Sequence, residues 1–252
     1  MKIFVVFGSK SDETVALPIV EALKKDFDVE YEVISAHRDL EKLQQKMSAW
    51  EGDAVVAGAG LAAALPGVVA AMTRVPVFGV CVPAQFSGID SLASIAQMPP
   101  GVPVMTAGPA KPEAIAAFLR HYKASAGRNF SRVHFIMRDK ALLSHPDLLA
   151  DVEKARAAAK ERGLDVTLSD AETKDGFNVI LVSQAAHVNA EGFCLHVPFF
   201  TKDDAQKPAT FLKVLEWSNA GGLWLGANNT RNAVHSASRL GAATAISQGR
   251  AA

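Results

Sequence analysis

Residues 2–12 read KIFVVFGSKSD, and this stretch decides the fold class of the chain. Ile3–Phe7 is apolar throughout, which predicts a strand buried on both faces of a sheet. Asp12–Lys25 then places apolar residues at helical spacing, so a helix is expected directly after the glycine-containing turn. A strand, a tight turn and a helix in this order are typical of the first unit of a parallel α/β sheet.

The same alternation continues through the first half of the chain. Further strands are predicted at Val29–Ile34, Ala54–Ala57, Pro76–Val80 and Val102–Thr106. Helices are predicted between and after them, at Asp39–Trp50, Ala62–Met72, Asp90–Gln97 and Pro112–Tyr122. Apolar strands that alternate with helices imply a parallel sheet covered on both faces. We therefore expect residues 1–125 to form a flavodoxin-like three-layer αβα domain.

The alternation begins again after a small linker, Ala124–Gly127. Strands are predicted at Val133–Met137, Val166–Ser169, Val179–Ser183, Cys194–Phe199 and Leu223–Gly226, and helices at Pro146–Arg162, Ala205–Ser218 and Thr230–Leu240. Short echoes, such as GDAVV at 52–56 and GFNVIL at 176–181, favour an internal duplication in which residues 128–252 are a diverged copy. An unrelated α/β domain joined to the first is the alternative, because any two doubly wound domains share this rhythm.

The composition argues against several kinds of partner. The 252 residues include 26 Lys and Arg against 26 Asp and Glu, so neither nucleic acid nor an anionic membrane is expected to bind. Cys81 and Cys194 are too few for a disulfide framework and match no metal-ligand spacing, which favours the reducing cytoplasm. Ala54–Thr73 carries no charged residue, but glycine and proline interrupt it, so it is predicted to be buried core and not a membrane span.

Polar residues cluster where the first two predicted strands end. Gly8-Ser9-Lys10-Ser11-Asp12 lies between a strand and a helix, where backbone amides, hydroxyls and a helix dipole suit a phosphate monoester. The alternative is that Ser11 or Asp12 only caps the helix.

The second strand ends in Ser35-Ala36-His37-Arg38. The planar guanidinium of Arg38 suits a dianionic phosphate, and His37 suits proton transfer near neutral pH. The alternative is a surface His-Arg pair before a helix capped by Asp39. The third loop, 58–67, offers close backbone approach and almost no polar side chain, so a flat ring could lie against it.

Six motifs in the first half carry a resemblance to a known family. In chain order they are GSKSD (8–12), SAHR (35–38), AGAGLAAALPG (57–67), GVCV (79–82), SGIDSLASIAQMP (87–99) and GVPV (101–104). Over about residues 1–122 the chain resembles the N5-carboxyaminoimidazole ribonucleotide mutase and phosphoribosylaminoimidazole carboxylase family. The resemblance implies a flavodoxin-like subunit, usually part of an octamer, that makes 4-carboxyaminoimidazole ribonucleotide in de novo purine synthesis.

The resemblance also implies what the reaction uses. No metal and no organic cofactor is expected, and the small-molecule partners are a ribonucleotide and carbon dioxide. One branch of the family moves the carboxylate of the N5-carbamate to the ring carbon, whereas the other adds free carbon dioxide to aminoimidazole ribonucleotide.

Roles for individual residues follow from matching motif positions. His37 would be the general acid and base at the imidazole carbon, which must lose its proton after carboxylation. Arg38 would hold the ribose phosphate together with Ser9 and Ser35, while Asp12 would bind the ribose hydroxyls. Ser11 and Ala36 belong to the same two substrate-binding turns. The backbone of four further residues would enclose the ring and trap carbon dioxide: Ala59, Gly60, Ala62 and Ala63.

The sequence departs from the mutase pattern at two positions of the third motif. Leu61 stands where the mutase branch has glycine, and Ala64 stands where it has histidine. Alanine at the latter position is common in the branch that uses free carbon dioxide, whereas most other motif residues are closer to the mutase branch. Both reactions, carboxylate transfer from the N5-carbamate and addition of free carbon dioxide, therefore stay open. A second functional class also stays open, a nucleotide-binding or assembly protein that keeps the fold without turnover.

The second half keeps none of the phosphate-binding motifs. Its counterparts of the first two turns are Arg138-Asp139-Lys140 and Ser169-Asp170-Ala171-Glu172, so we predict a non-catalytic copy. A tandem chain would then replace two subunits, and four chains would complete the usual ring as a homo-oligomer. His187, in a stretch resembling the AAHL that the first half lacks, is a candidate to complement the site. The alternative is a hydrogen-bonded structural histidine.

Overall fold

The first half folds as five parallel strands with a helix after each. The structure is a computed structural model that describes residues 1–125, 130–174 and 176–249, with the backbone alone from residue 243 onward. The strands are β1 (Lys2–Phe7), β2 (Asp28–Val33), β3 (Ala54–Ala59), β4 (Val77–Cys81) and β5 (Met105–Ala107). The helices are α1 (Glu13–Lys24), α2 (Leu40–Ser48), α3 (Leu65–Met72), α4 (Ile89–Ala96) and α5 (Ala114–Ala124). The spatial order β2-β1-β3-β4-β5 confirms the flavodoxin-like prediction.

The second half also has five strands, but its described residues form fewer helices between them. Its strands are β6 (Arg132–Ile136), β7 (Asp165–Ser169), β8 (Phe177–Val182), β9 (Leu195–Pro198) and β10 (Leu223–Trp224). Its helices are α6 (Pro146–Lys160), α7 (Lys202–Ala205), α8 (Thr210–Ser218) and α9 (Thr230–Gly249). The last two residues of the predicted linker Ala124–Gly127 lie outside the described residues, and α5 includes its first.

Three predicted helices differ from the observed ones in physically understandable ways. The helix predicted at Ala62–Met72 begins only at Leu65, because the chain first turns through positive φ angles. The single helix predicted at Ala205–Ser218 is two, α7 and α8, and Pro208 between them lacks the N–H that a continuous helix needs. The helix predicted to end at Leu240 continues to Gly249.

The two halves share one continuous sheet. The ten strands stand in the order β2-β1-β3-β4-β5-β10-β9-β8-β6-β7. Their only antiparallel pairing within the described residues is β5 with β10, where Leu223 faces Ala107 and Trp224 faces Thr106. Counted inward from its own outer edge, each half has the same strand order. An internal duplication predicts this equality, and so does an unrelated domain of the same doubly wound class, so the duplication and the domain boundary between residues 125 and 128 both stay predictions.

Helices cover both faces of the sheet, and apolar residues of β1 alternate between two cores. Ile3, Val5 and Phe7 belong to one apolar cluster, whereas Phe4 and Val6 belong to the other. Each cluster contains residues from both halves of the chain, so the halves stabilise one another by burying shared apolar surface. Within the part of the chain that the structure describes, no helix is both long and apolar enough to span a bilayer.

Candidate active site

A pocket of about 300 Å³ lies at the carboxyl ends of β1, β2 and β3. This is the edge of a parallel sheet where ligands of such folds bind, because loops and helix N-termini converge there. Its lining consists of Gly8, Ser9, Ser11, Asp12, Ser35, Ala36, His37, Arg38, Ala59, Gly60, Leu61, Ala64, Leu65 and Ala84. The first two polar turns of the sequence therefore meet in one cavity.

Ser9, Ser11 and Asp12 form a compact hydrogen-bonded turn. The side chain of Ser9 accepts a hydrogen bond of 3.3 Å from the N–H of Ser11 and so caps the short 3-10 turn that leads into α1. The hydroxyl of Ser11 lies 2.8 Å from the Ser9 hydroxyl and 3.2 Å from Asp12 Oδ1. Asp12 precedes α1 without a side-chain capping hydrogen bond, so its carboxylate is not occupied by the helix N-terminus.

Burial raises the pKa of the Asp12 carboxyl. Only 9% of the residue is exposed, and this desolvation raises the pKa of its carboxyl, while hydrogen bonds with Ser11 and Ser9 oppose the rise. A partly buried carboxylate with free acceptor positions can receive hydroxyl groups of a ligand.

Arg38 reaches from the second turn to the first. Its Nη2 donates a hydrogen bond of 3.3 Å to the carbonyl of Gly8, and its backbone N–H donates to Ser35 Oγ at 3.3 Å. Ser35 in turn donates its N–H to Asp39 Oδ2, and Asp39 donates its own N–H to the Ser35 carbonyl at 2.9 Å. Arg38 forms no salt bridge with the described residues. Its positive charge is therefore available to an anion in the pocket.

His37 stands exposed in the pocket lining beside Arg38. Its ring has no hydrogen-bond partner among the residues that the structure describes, so neither nitrogen is committed to the fold. A histidine in this state can accept or donate a proton at a bound ligand.

The third loop places its residues differently from the predicted arrangement. Leu61 and Ala62 have φ angles of 41° and 52°, and the N–H of Ala62 donates to Asp90 Oδ2 at 3.1 Å, which turns this residue away from the pocket. Ala63 is buried in the core. The predicted backbone set is thus represented in the lining by Ala59 and Gly60, whereas Ala62 and Ala63 are outside it.

Sequence reasoning missed Ala84 in the lining and Asp90, which supports the lining, whereas Leu61, Ala64 and Leu65 belong to the predicted third loop. Leu61, Ala64, Leu65 and Ala84 supply the apolar side of the pocket. Asp90, at the start of α4, anchors the third loop and lies within the SGIDSL segment, which contributes to the family resemblance but had no predicted role. An acidic residue in the first turn of a helix was the available signal.

At the corresponding carboxyl ends of the strands in the second half, the basic side chains form ion pairs with acidic residues of the same half. Arg138 Nη2 lies 3.0 Å from Glu172 Oε1, and Lys140 Nζ lies 3.1 Å from Asp170 Oδ2. Where the first half presents Arg38, this half presents the acidic Glu172. Its basic residues are therefore neutralised by the chain itself.

His187 lies at the same edge of the second half and does not line the pocket of the first half within one chain. Its Nδ1 is 3.3 Å from Ser183 Oγ, its Nε2 is 2.9 Å from Gln184 Nε2, and its carbonyl accepts from Arg138. Desolvation lowers the pKa of the His187 ring, so the neutral form is favoured.

The first half of the sequence is similar to known proteins. The family model for AIR carboxylase matches residues 2–126. The N5-carboxyaminoimidazole ribonucleotide mutase of Pyrococcus abyssi is 47% identical over 116 residues, 42% of this chain and 64% of that protein. The mutase of Methanocaldococcus jannaschii is 41% identical over 140 residues, 55% of this chain and 88% of that protein. The phosphoribosylaminoimidazole carboxylase of Saccharomyces cerevisiae is 47% identical over 115 residues, 40% of this chain and 19% of that protein.

The fold and the pocket define a flavodoxin-like α/β protein with a cavity at the carboxyl ends of its first three strands. The match to the family model and the similarity to the M. jannaschii mutase show that the chain belongs to the AIR carboxylase family. The family match ends at residue 126, so most of the second half lies outside it.

Proposed function

We propose that this chain is an enzyme of de novo purine biosynthesis that forms 4-carboxyaminoimidazole ribonucleotide. The observation that carries the proposal is the meeting of His37, Arg38, Ser9 and Asp12 in the lining of one pocket. An anion-binding guanidinium, hydroxyls at a strand-to-helix turn, a carboxylate and an uncommitted imidazole are what an imidazole ribonucleotide requires.

Substrate binding is divided between the two polar turns. Arg38 and the turn that contains Ser9 bind the ribose phosphate, since a guanidinium and hydroxyl donors match its oxygens. Asp12 accepts hydrogen bonds from the ribose hydroxyls, because its carboxylate does not cap α1. The imidazole ring then lies toward the backbone of Gly60. A Cβ added at Gly60 would come within 3.1 Å of the Ala84 side chain, so the loop is close-packed against Ala84 at this position.

The chemical step needs one base at the ring carbon. The ring carbon attacks carbon dioxide and forms a C–C bond, which leaves a tetrahedral carbon that carries both a hydrogen and the new carboxylate. His37 takes that proton, and the electron pair of the C–H bond restores the aromatic ring. The apolar side of the pocket, with Ala64 and the buried Leu65, excludes water and holds the neutral carbon dioxide.

The source of carbon dioxide defines two candidate reactions. Similarity to relatives named as mutases favours the N5-carbamate. Its N–C bond breaks to release carbon dioxide inside the pocket, and the nitrogen keeps the electron pair and takes up a proton. Ala64 in the pocket lining favours the direct use of free carbon dioxide, by its resemblance to that branch. The proton transfer by His37 is common to both.

Turnover measured with each substrate tests the proposal. Wild type is expected to convert the N5-carbamate or aminoimidazole ribonucleotide with bicarbonate, and His37→Asn is expected to lose a factor of about 10² or more in kcat. Binding of aminoimidazole ribonucleotide, measured by calorimetry, is expected to change little in this variant. His121→Asn on the exposed side of α5 is the matched control. If wild type and His37→Asn both bind the ribonucleotide and neither converts it, the nucleotide-binding alternative replaces the enzyme.

A further inference from the structure

A second cavity, of about 390 Å³, lies where α3 of the first half meets α6 and α9 of the second. Arg74 follows α3, Arg162 follows α6, and His235 and Arg239 project from α9. It shares no lining residue with the candidate active site. Among the described residues that line it, every ionisable side chain is basic, and Thr73 and Ser238 add hydroxyls.

Arg239 is the least compensated of these groups. Its Nη2 donates a hydrogen bond of 3.1 Å to the carbonyl of Ala70, at the C-terminal end of α3. Its Nη1 is buried and has no hydrogen-bond partner among the described residues. Burial and the positive charge of Arg74 lower the pKa of Arg239 to about 10. A buried N–H donor on a cation without a counter-charge destabilises the folded state, so a ligand with an anionic hydrogen-bond acceptor would be favourable here.

The neighbouring charges leave the cavity positive. Arg162 Nη1 donates to the Ala158 carbonyl at 2.7 Å and lies 3.2 Å from Glu161 Oε2, but the Glu161 side chain is 75% exposed and well screened. Burial, followed by Arg162 and Arg239, lowers the pKa of His235 to about 4, with Arg231 acting in the same direction and Glu161 against it. Three arginines thus face one partly compensating carboxylate.

We propose that this cavity binds a phosphate-bearing anion of at least two negative charges through Arg74, Arg162 and Arg239. Guanidinium groups donate paired hydrogen bonds that match phosphate oxygens, and several of them converge here. The lining, as far as the structure describes it, contains no Phe, Tyr or Trp, so the phosphate group itself is recognised and not a stacked base. The cavity is large enough for pyrophosphate or for the phosphate tail of a nucleotide.

Calorimetry with inorganic pyrophosphate tests the site. Because the active-site turn could also take a phosphate, binding is measured in wild type and in Arg38→Gln, which is expected to retain the second site. Arg74→Gln and Arg239→Gln are each expected to weaken pyrophosphate binding at that site tenfold or more. Arg156→Gln, an exposed arginine of α6 paired with Glu153, is the matched control and is expected to leave binding unchanged.

Thermal unfolding gives a readout that a purely structural arginine would not move. Arg74 is exposed, so Arg74→Gln is expected to fold and, by removing a repulsive charge beside Arg239, to unfold at the same or a higher temperature without ligand. Pyrophosphate is expected to raise the unfolding temperature of Arg38→Gln but not of the double variant Arg38→Gln/Arg74→Gln, in which the active-site arginine is also absent.

Comparing the affinities for adenosine diphosphate and pyrophosphate shows whether the cavity recognises the phosphate groups alone or also the nucleoside. Affinity equal to that of pyrophosphate supports phosphate recognition, whereas markedly tighter adenosine diphosphate binding contradicts it. The site is overturned if Arg38→Gln abolishes all pyrophosphate binding, or if Arg74→Gln and Arg239→Gln bind like wild type. Arg239 and Arg162 would then serve only as caps of α3 and α6. Neither result depends on turnover, so failure here is separable from failure of the proposed enzyme.

Discussion

Leu61 occupies a backbone position that favours glycine. Its φ angle is 41°, its side chain is 62% exposed, and it lines the mouth of the candidate active site. The glycine that the mutase branch has at this position would adopt the same turn without a Cβ clash. The departure from the family pattern is therefore accommodated by local backbone strain, while the side chain extends toward solvent.

Two substitutions at Leu61 separate strain from side-chain loss. Leu61→Gly and Leu61→Ala both remove the exposed side chain, but only glycine relieves the left-handed conformation. We expect Leu61→Gly to be more stable than Leu61→Ala by about 1 kcal/mol in chemical denaturation. Equal stabilities of the two variants would show that the loop does not hold this conformation in solution.

At the scale of elements, the pattern of apolar residues predicted most strands and helices to within a few residues. Misses arose where a local signal was weak or overlooked. Pro208 was visible and should have divided the helix predicted at Ala205–Ser218. The late start of α3 was not visible, because no glycine marks the positive φ angles at Leu61 and Ala62. Their conformation depends on the contact from Ala62 to Asp90, which is remote in sequence.

The junction between the halves depends on a close approach at Gly108. A Cβ at this position, just after β5, would overlap the backbone of Ser218 at the end of α8. Gly241, within α9, is different, because a Cβ added there would meet none of the described residues within 4 Å beyond its own helix.

Opposite effects of alanine are therefore expected at these two glycines. Gly108→Ala should lower the free energy of unfolding by about 1–3 kcal/mol, because backbone must move to admit the methyl group. Gly241→Ala should raise it by about 0.5–1 kcal/mol through helix propensity. Urea denaturation of both variants measures the difference, and a neutral Gly108→Ala would contradict the packing of β5 against α8.

At the scale of the whole molecule, a buried histidine links stability to pH. His196 on β9 is fully buried and stacks on Trp224 with ring centroids 4.6 Å apart. Its Nε2 accepts from the N–H of Asn189, and its Nδ1 donates to the Leu223 carbonyl, so the neutral ring is satisfied. Desolvation lowers the pKa of His196 to about 4 from an ordinary value of 6.5.

Acid is expected to destabilise the protein through this group. Above pH 6.5 the His196 ring is neutral in both the folded and the unfolded state. Between pH 6.5 and about pH 4 the unfolded chain binds a proton at this ring, whereas the folded chain does not. The loss approaches about 3 kcal/mol across this window. His196→Gln should show a shallower slope of unfolding free energy between pH 6.5 and 4, with His235 contributing part of what is left. An unchanged slope would refute the assignment.

The assembly of tandem chains is also open to measurement. We propose that four chains replace the eight subunits usual in the family, with the second half as a non-catalytic copy. Light scattering is expected to give four times the 26.7 kDa mass of one chain. A monomer at micromolar concentration would remove this proposal without affecting the pocket, which one chain forms alone.

The flavodoxin-like order of the first half could be predicted from the sequence, because apolar runs, helical spacing and turn residues are local signals along the chain. The same signals predicted that His37, Arg38, Ser9 and Asp12 lie at one edge of the sheet. The joining of both halves through β5 and β10, the exclusion of Ala62 and Ala63 from the pocket, and the arginine cavity under α9 became visible only in three dimensions. Each depends on contacts between residues far apart in sequence, where the competition for buried surface among all elements selects the partner.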